Sequence, residues 1–171
     1  MKFKFKRRKR IFRELVGILI IVSLLVGGYF GLQFFLNTDM PLVAVVSGSM
    51  YPTLKVGDLV VVQGVAPAEI QEGDIIVFEA TESRYGTYWV HRVIEVRVLP
   101  DGTRLFITKG DKNAGPDSAP VSEDKIHGRV IYIIPFIGFL IMDPIFLFIL
   151  LLSMIIIILL WPEKRKKGSF R

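Results

Sequence analysis

The chain has 171 residues, no cysteine and a formal net charge of +6, so disulfides, thiolate chemistry and zinc–thiolate sites are excluded. The basic excess is confined to the ends: residues 1–14 carry eight Lys or Arg and one acid, and residues 163–171 carry five Lys or Arg and one acid. Residues 37–129 carry nine basic and thirteen acidic residues. Because this central segment is acidic on balance, the net charge does not predict a nucleic-acid partner.

A long apolar run follows the basic N-terminus. Leu15 to Leu36 contains 22 residues without a charged side chain, and a bilayer core needs about 20 apolar residues in a helix. We therefore predict a transmembrane helix over 15–36 behind a basic cytoplasmic tail over 1–14. A cleaved signal peptide also starts with basic residues, but its apolar stretch has about 7–15 residues and a small-x-small site soon follows. The run fits a retained anchor better.

The second apolar run, residues 130–162, has 33 residues and one charged residue, Asp143. It is too long for one span, and Asp-Pro at 143–144 is typical of a helix start, with Asp as the N-cap. We predict an interfacial segment over 135–143, a second transmembrane helix over 144–162 and a basic cytoplasmic tail over 163–171. The positive-inside rule then places residues 37–134 outside the cytoplasm, in a cell-membrane protein with two spans.

The segment between the two runs has the pattern of a β domain. Short stretches rich in Val, Ile and aromatic residues alternate with turn sequences, and Asp101–Gly102 between two of them is a typical hairpin turn. We therefore expect a mostly β fold, a compact domain flanked by N- and C-terminal transmembrane helices. The predicted strands are 42–46, 59–63, 75–79, 88–99, 105–109 and 129–134.

The first candidate for chemistry is Ser47-Gly48-Ser49, which directly follows an apolar strand. A turn of small residues at a strand end can expose a hydroxyl and leave backbone N–H groups to stabilise an oxyanion. A simple polar turn would have the same composition, so these letters alone favour the polar turn over a nucleophile.

A nucleophilic serine needs a base, and the chain has two histidines, His91 and His127. His91 lies in the middle of the strand predicted at 88–99, where a lone histidine is more often structural than catalytic. His127 lies near the second apolar run and has no better claim by position.

Two carboxylates, Asp111 and Asp117, lie in a loop rich in Gly, Asn and Pro. Such carboxylates usually hydrogen-bond the backbone of their own turn, and the spacing of a calcium-binding loop is absent. An Asp can also hold an imidazole in one tautomer and stabilise its protonated form. The chain order Ser, His, Asp is not diagnostic, because triads occur in several orders.

Together these clusters resemble the sequence boxes of type I signal peptidases, over roughly residues 40–140. Ser-Gly-Ser-Met-Tyr-Pro-Thr at 47–53 resembles the nucleophile box, and Val-His-Arg-Val-Ile at 90–94 resembles the box that holds the base. Thr-Lys-Gly-Asp-Lys-Asn at 108–113 resembles the acidic box, although many members have Asn in place of Lys112. A His where bacterial members have Lys marks the archaeal and endoplasmic-reticulum branch, which also occurs in some Gram-positive bacteria.

The resemblance implies a membrane-bound serine endopeptidase that removes signal peptides from exported preproteins through an acyl-enzyme. In that family pattern Ser49 is the nucleophile, His91 the general base and then the general acid, and Asp117 the third member of the triad. Asp111 matches a second acidic residue that supports the site. Ser47 matches a hydroxyl that assists the oxyanion beside the Ser49 backbone N–H.

The resemblance also implies the substrates and partners. These are preproteins with small residues at −1 and −3, cut next to the lipid bilayer, and no metal or organic cofactor is implied. Accessory subunits are left open by the sequence.

Two alternatives remain at this point. A Ser-Lys hydrolase of the same superfold would need a lysine as base, and Lys109 is the one close to the boxes. A non-catalytic membrane-anchored β scaffold or assembly subunit would explain the topology without chemistry. The scaffold does not require Ser49, His91 and Asp117 to meet in space.

Overall fold

The computed structural model describes residues 2–80, 88–142 and 144–160. Within these ranges a long helix, α1 (Lys2–Leu36), precedes the strands, and two helices follow them, α2 (Phe139–Met142) and α3 (Pro144–Leu160). Two 3-10 turns, at Pro67–Glu69 and Glu123–Lys125, lie between strands. The strands are β1 (Leu42–Ala44), β2 (Leu59–Gln63), β3 (Ile75–Glu79), β4 (Tyr88–Val98), β5 (Arg104–Lys109), β6 (Val121–Ser122) and β7 (Ile126–Ile134).

The strands form one antiparallel sheet in the order β1-β2-β7-β3-β4-β5-β6, which confirms the predicted mostly β class. Successive residues of a strand face opposite sides of a sheet, and β3 supplies both sides. Val77 packs in one buried cluster with Val60 of β2, whereas Phe78 packs in another with Phe106 of β5. The sheet therefore carries apolar packing on both faces around its centre.

The first strand is shorter than the predicted 42–46. Beyond Ala44 the chain hydrogen-bonds a turn instead of continuing along β2. The Val45 N–H donates to the Asp58 carbonyl (2.9 Å), and the Gly57 N–H donates to the Val45 carbonyl (2.9 Å). This turn fixes the direction in which the chain leaves β1.

The last strand begins three residues earlier than predicted and contains a bulge. Val77 pairs with Gly128 and Phe78 pairs with Ile126, so His127 is the extra residue on β7. A bulge interrupts the alternation on which sequence prediction depends, and this is why the early part of β7 was missed. The two-residue strand β6 was also missed, because two residues are too few for a periodic signal.

The predicted hairpin between β4 and β5 is confirmed. The Gly102 N–H donates to the Leu99 carbonyl (2.9 Å), and the Thr103 N–H donates to Asp101 Oδ1 (2.9 Å). Gly102 has φ +89°, a left-handed conformation that glycine adopts readily. Further along the pair, Ile94 of β4 has no partner on β5, which is another bulge.

The N-terminal helix is the one helix in the described ranges that is long and apolar enough to cross a membrane. Its apolar part, Phe12–Leu36, has 25 residues and no buried side chains. The helix α3 has 17 residues, or about 25 Å at roughly 1.5 Å per residue, so a second span over 144–162 stays a prediction. The predicted N-cap Asp143 and the tail over 163–171 lie outside the described residues.

The segment after β7, predicted as interfacial, packs against the turn that follows the nucleophile box. The Phe139 ring lies against Gly57, and a side chain on Gly138 would meet the Asp58 carbonyl. The Phe136 N–H lies 3.4 Å from Asp58 Oδ1. The C-terminal segment is therefore attached to the same turn that ends β1.

Candidate active site

Ser49 lies in a turn that buried neighbours hold against the sheet. Met50 and Leu54, one and five residues further on, are buried in the core, and the Leu54 N–H donates to the Met50 carbonyl (2.9 Å). The Ser49 carbonyl accepts a hydrogen bond from the Lys112 N–H (2.8 Å). This bond joins the turn to the loop that carries Asp111 and Asp117, the acidic loop. The fold thus places the half-buried Ser49 side chain between the loop and β4.

His91 connects the serine to a carboxylate. It is 6% exposed on β4 and packs against the rings of Trp89 and Phe78, whose centroids lie 5.3 and 6.3 Å from the imidazole. His91 Nε2 lies 3.0 Å from Ser49 Oγ, and Nδ1 lies 2.7 Å from Asp117 Oδ2. These distances bring together three residues that are 26 and 42 positions apart in the chain.

The carboxylate determines which imidazole nitrogen carries the proton. An ionised Asp117 can only accept hydrogen bonds, so His91 Nδ1 donates to it. In the neutral ring Nε2 is then an acceptor, and it can take a hydrogen bond from the Ser49 hydroxyl. This is the arrangement that a general base requires beside a nucleophilic serine.

Two further contacts hold Asp117 in place. The Asp117 N–H donates to the Thr108 carbonyl (2.8 Å), and the Thr108 hydroxyl donates to Asp117 Oδ2 (2.7 Å). The sequence did not assign a role to Thr108. The signal that could have revealed it is a polar residue on the buried side of β5, two residues after the core residue Phe106.

Asp111 lies in a separate network, away from the hydrogen-bonded chain of Ser49, His91 and Asp117. Arg92 donates to Asp111 through Nε and Nη2, both at 2.8 Å, and the Thr53 hydroxyl donates to the same carboxylate at 2.5 Å. These contacts, the Arg92 hydrogen bonds first, hold the pKa of Asp111 below its ordinary value and raise the pKa of Arg92. Asp111 therefore ties β4 to the turn after Ser49.

Ser47 lies beside the nucleophile candidate. Its Oγ is 3.2 Å from Ser49 Oγ, at an exposed position of the turn. From there the hydroxyl can reach a group bound at Ser49. Lys109, the lysine that the Ser-Lys alternative would need, alternates with Thr108 on β5 and so faces away from Asp117.

His127, the second histidine, lies at the end of the first helix. Its Nδ1 is 2.8 Å from Asp39 Oδ1, and its carbonyl accepts the Thr38 hydroxyl (2.7 Å). The Tyr88 ring packs edge-on against the imidazole, with the centroids 5.0 Å apart. Among the described residues no serine hydroxyl lies against this histidine.

A cleft of about 560 Å³ opens in front of the serine. One wall is β1 with the residues that follow it, and the other is the start of β4, while the acidic loop closes the end. β1 is an edge strand, and β5 pairs with β4 only from Arg92 onward. Both walls therefore present strand edges with no partner among the described residues. In the same ranges no group of three or more His, Cys, Asp or Glu could hold a metal ion.

The chain is similar in sequence to known proteins of one family. The family model for "Signal peptidase, peptidase S26" matches residues 12–97. "Signal peptidase I W" of Bacillus subtilis (strain 168) is 38% identical over 87 residues, which are 50% of this chain and 44% of that protein. "Signal peptidase complex catalytic subunit SEC11C" of Homo sapiens is 31% identical over 142 residues, 79% of this chain and 73% of that protein. The sec11 subunit of Dictyostelium discoideum is 29% identical over 138 residues, 77% of this chain and 75% of that protein.

Proposed function

Because the chain belongs to the signal peptidase family, peptidase S26, and to its endoplasmic-reticulum type with SEC11, we propose that it removes signal peptides from exported preproteins by serine catalysis. The observation that carries this proposal is the hydrogen-bonded chain from Ser49 through His91 to Asp117, at 3.0 and 2.7 Å, at the end of a cleft. The scaffold alternative does not hold, since the chain is an enzyme of a peptidase family.

In the proposed acylation step, Ser49 Oγ attacks the carbonyl carbon of the scissile peptide bond. His91 Nε2 takes the hydroxyl proton as the new C–O bond forms, and Asp117 stabilises the resulting imidazolium. When the tetrahedral intermediate collapses, the C–N bond breaks and His91 gives the proton to the departing amine. The signal peptide is then held as an ester on Ser49, and the mature protein is released.

Water completes the reaction by the same groups in reverse. His91 accepts a proton from the water that attacks the ester, and returns it to Ser49 Oγ as the signal peptide leaves. The negative charge on the oxygen in both steps requires donors. We assign this role to the Ser49 backbone N–H and to the Ser47 hydroxyl, which lies 3.2 Å from Ser49 Oγ.

The cleft walls suit an extended substrate. A peptide that enters between the free edges of β1 and β4 can add as a strand and pair with their backbones. Side chains of an extended chain alternate, so those at −1 and −3 point to the same side. Val43 and Val45 line the cleft, and small side chains at these two substrate positions would leave the backbone close to Ser49. Tyr51, which lies within the nucleophile box, is not among the lining residues.

The proposal places the cleft close to the membrane. The Leu36 carbonyl at the end of α1 accepts the Gly64 N–H (2.8 Å), and Thr38 bonds to His127 (2.7 Å), so the helix leads directly into the sheet. Ser49 follows Leu36 by 13 residues, which limits the separation to roughly 45 Å for a fully extended chain. We propose that residues 15–36 span the bilayer, with the catalytic domain outside the cytoplasm and both termini inside.

The C-terminal segment completes the proposed membrane topology. Residues 144–162 form the proposed second span, and 135–143 lie at the interface. The SEC11 relatives are named as catalytic subunits of a complex, which is consistent with accessory subunits for this chain.

The experiment is cleavage of a preprotein with an Ala-x-Ala site by full-length enzyme in detergent or lipid vesicles. Wild type is compared with Ser49→Ala and with Ser122→Ala, a matched loss of a hydroxyl on β6. Wild type and the β6 variant should cut after the second Ala, as read by mass spectrometry, and Ser49→Ala should not. Equal cleavage by Ser49→Ala would refute the proposed nucleophile.

A further inference from the structure

Thr108 occupies a buried position on β5 where packing alone gives no reason for a hydroxyl. It is 0% exposed and lies on the same side of the strand as the core residue Phe106. A valine would fill nearly the same volume, and a buried hydroxyl destabilises the fold unless it is hydrogen-bonded. The presence of threonine at this position therefore points to the partner of its hydroxyl.

That partner is the carboxylate that binds His91. The Thr108 hydroxyl donates to Asp117 Oδ2 (2.7 Å), the same oxygen that His91 Nδ1 contacts (2.7 Å). The Asp117 N–H also donates to the Thr108 carbonyl (2.8 Å). Asp117 lies in an irregular stretch between β5 and β6, so these two bonds attach it to a strand of the sheet.

We propose that Thr108 is a positioning residue for the peptidase reaction, acting on His91 through Asp117. The inference rests on the proposed function, since it concerns the orientation of the same triad. Its hydroxyl fixes the rotamer of the Asp117 carboxylate, and so aims Oδ2 at the imidazole. A carboxylate that rotates freely would leave His91 without a fixed tautomer during proton transfer.

The same hydrogen bond tunes the charge that His91 meets. A donor to a carboxylate stabilises its negative charge, so Oδ2 attracts the imidazolium less strongly when Thr108 also binds it. The other groups around the imidazole are the Ser49 hydroxyl and the rings of Trp89 and Phe78. Asp111, which binds Arg92, interacts with His91 through space. The charges of Asp111 and Arg92 do not change when the Thr108 hydroxyl is removed.

The test compares Thr108→Val, which removes the hydroxyl at nearly constant volume, with Thr108→Ser, which keeps it. Rates are measured on the Ala-x-Ala preprotein from about pH 5 to 8, with full-length enzyme. Thr108→Val should lower kcat/KM by about 10- to 100-fold, the size expected for a lost hydrogen bond to a charged group. It should also move the acid limb of the pH profile to higher pH, because the remaining charge on Oδ2 favours the imidazolium.

Thr108→Ser should stay within about threefold of wild type, since the hydrogen bond to the carboxylate is kept. Equal losses in Thr108→Ser and Thr108→Val would overturn the proposal, as would an acid limb that stays in place or moves to lower pH in Thr108→Val. If Thr108→Val does not fold, Thr108→Ala takes its place, because it loses the hydroxyl and should be slower than Thr108→Ser. Cleavage that survives in Ser49→Ala would instead refute the proposed function, and the inference would fall with it.

Discussion

Two His–Asp pairs of nearly equal length occur in this molecule, and the proposed chemistry belongs to one of them. His91 Nδ1 lies 2.7 Å from Asp117, and His127 Nδ1 lies 2.8 Å from Asp39. The first pair is almost enclosed, with both side chains 8% exposed, whereas Asp39 in the second pair is 68% exposed. The two pairs therefore differ in exposure and not in the distance between histidine and aspartate.

The surroundings of the two pairs make the difference. His91 presents Nε2 to a serine hydroxyl in a cleft, and its aspartate is fixed by Thr108. His127 is the bulged residue of β7, held near the end of α1 by contacts that join the helix to the sheet. A His–Asp pair can serve as a general base only when a nucleophile and a bound substrate can reach the Nε2 atom of the histidine.

The largest expected contrast is between the two histidines. His91→Ala should lower kcat/KM on the preprotein by at least about 10⁴-fold, as the loss of a triad base does. His127→Ala should stay within about twofold, the effect of a substitution away from the chemistry. Circular dichroism and thermal unfolding of both variants check that each is folded. Retention of most activity by His91→Ala would remove this residue from the mechanism.

The aspartates of the two pairs, Asp117 and Asp39, should show the same contrast in activity as their histidines. Asp117→Asn offers an amide in place of the carboxylate and favours the wrong tautomer of His91, so kcat should fall by about 10³- to 10⁴-fold. Asp39→Asn should change kcat by no more than about twofold. Steady-state kinetics of the two variants give the comparison, and similar losses in both would mean that the second pair also serves the reaction.

The pH dependence sharpens the contrast without a substitution at the His91–Asp117 pair. Wild-type activity should fall at acid pH, because a protonated His91 cannot accept the Ser49 proton. The acid limb should be unchanged in His127→Ala, because His127 has no part in the proton transfer. A flat profile from about pH 5 to 8, or a shifted limb in His127→Ala, would contradict this assignment.

A third pair, the Arg92–Asp111 ion pair, should affect activity far less than His91–Asp117, and we expect it to act mainly on stability. The folded pKa of Asp111 is depressed mainly by the Arg92 hydrogen bonds, so the ionised carboxylate stabilises the fold above the pKa of free Asp, about 3.9. That stabilisation disappears as the pH falls through the lower folded pKa. Asp111→Asn should lower the free energy of unfolding at pH 7 by about 1–3 kcal/mol.

Denaturant unfolding of wild type and Asp111→Asn measures this difference at several pH values. The two proteins should become more alike as the pH falls below about 4, since Asp111 is then increasingly protonated in the unfolded and later in the folded state. A difference that stays constant with pH would mean that the substitution acts through shape instead of charge. In the preprotein assay, Asp111→Asn should lower kcat/KM far less than Asp117→Asn does.

The sequence predicted the strands with a regular pattern and missed what depends on tertiary contacts. β2 and β3 match the predicted ranges, because each is a short unbroken apolar run between turn sequences. The early part of β7 was missed at the His127 bulge, and β6 is too short for periodicity. β1 ends early because Val45 bonds to the turn at Asp58, a contact that local propensity cannot show.

The candidate site could be predicted only by resemblance, because its members are far apart in the chain. From their positions in the chain alone, His91 and His127 were equal candidates for the base. Asp111 and Asp117 were equal candidates for the carboxylate that binds it. The fold distinguishes the two aspartates. Asp117 hydrogen-bonds His91, whereas Asp111 hydrogen-bonds Arg92, the next residue on the same strand. Adjacent strand residues face opposite sides, and this explains how one loop serves two networks.

The most direct test of the central claim is the non-additivity of Ser49→Ala and His91→Ala in the preprotein assay. If the two side chains act as one unit, the double variant should be about as slow as either single variant. The rates of Ser49→Ala, His91→Ala and the double variant are measured under the same conditions and corrected for the uncatalysed reaction. Equal residual rates in all three are the predicted result, and losses that multiply in the double variant would contradict a shared Ser49–His91 mechanism.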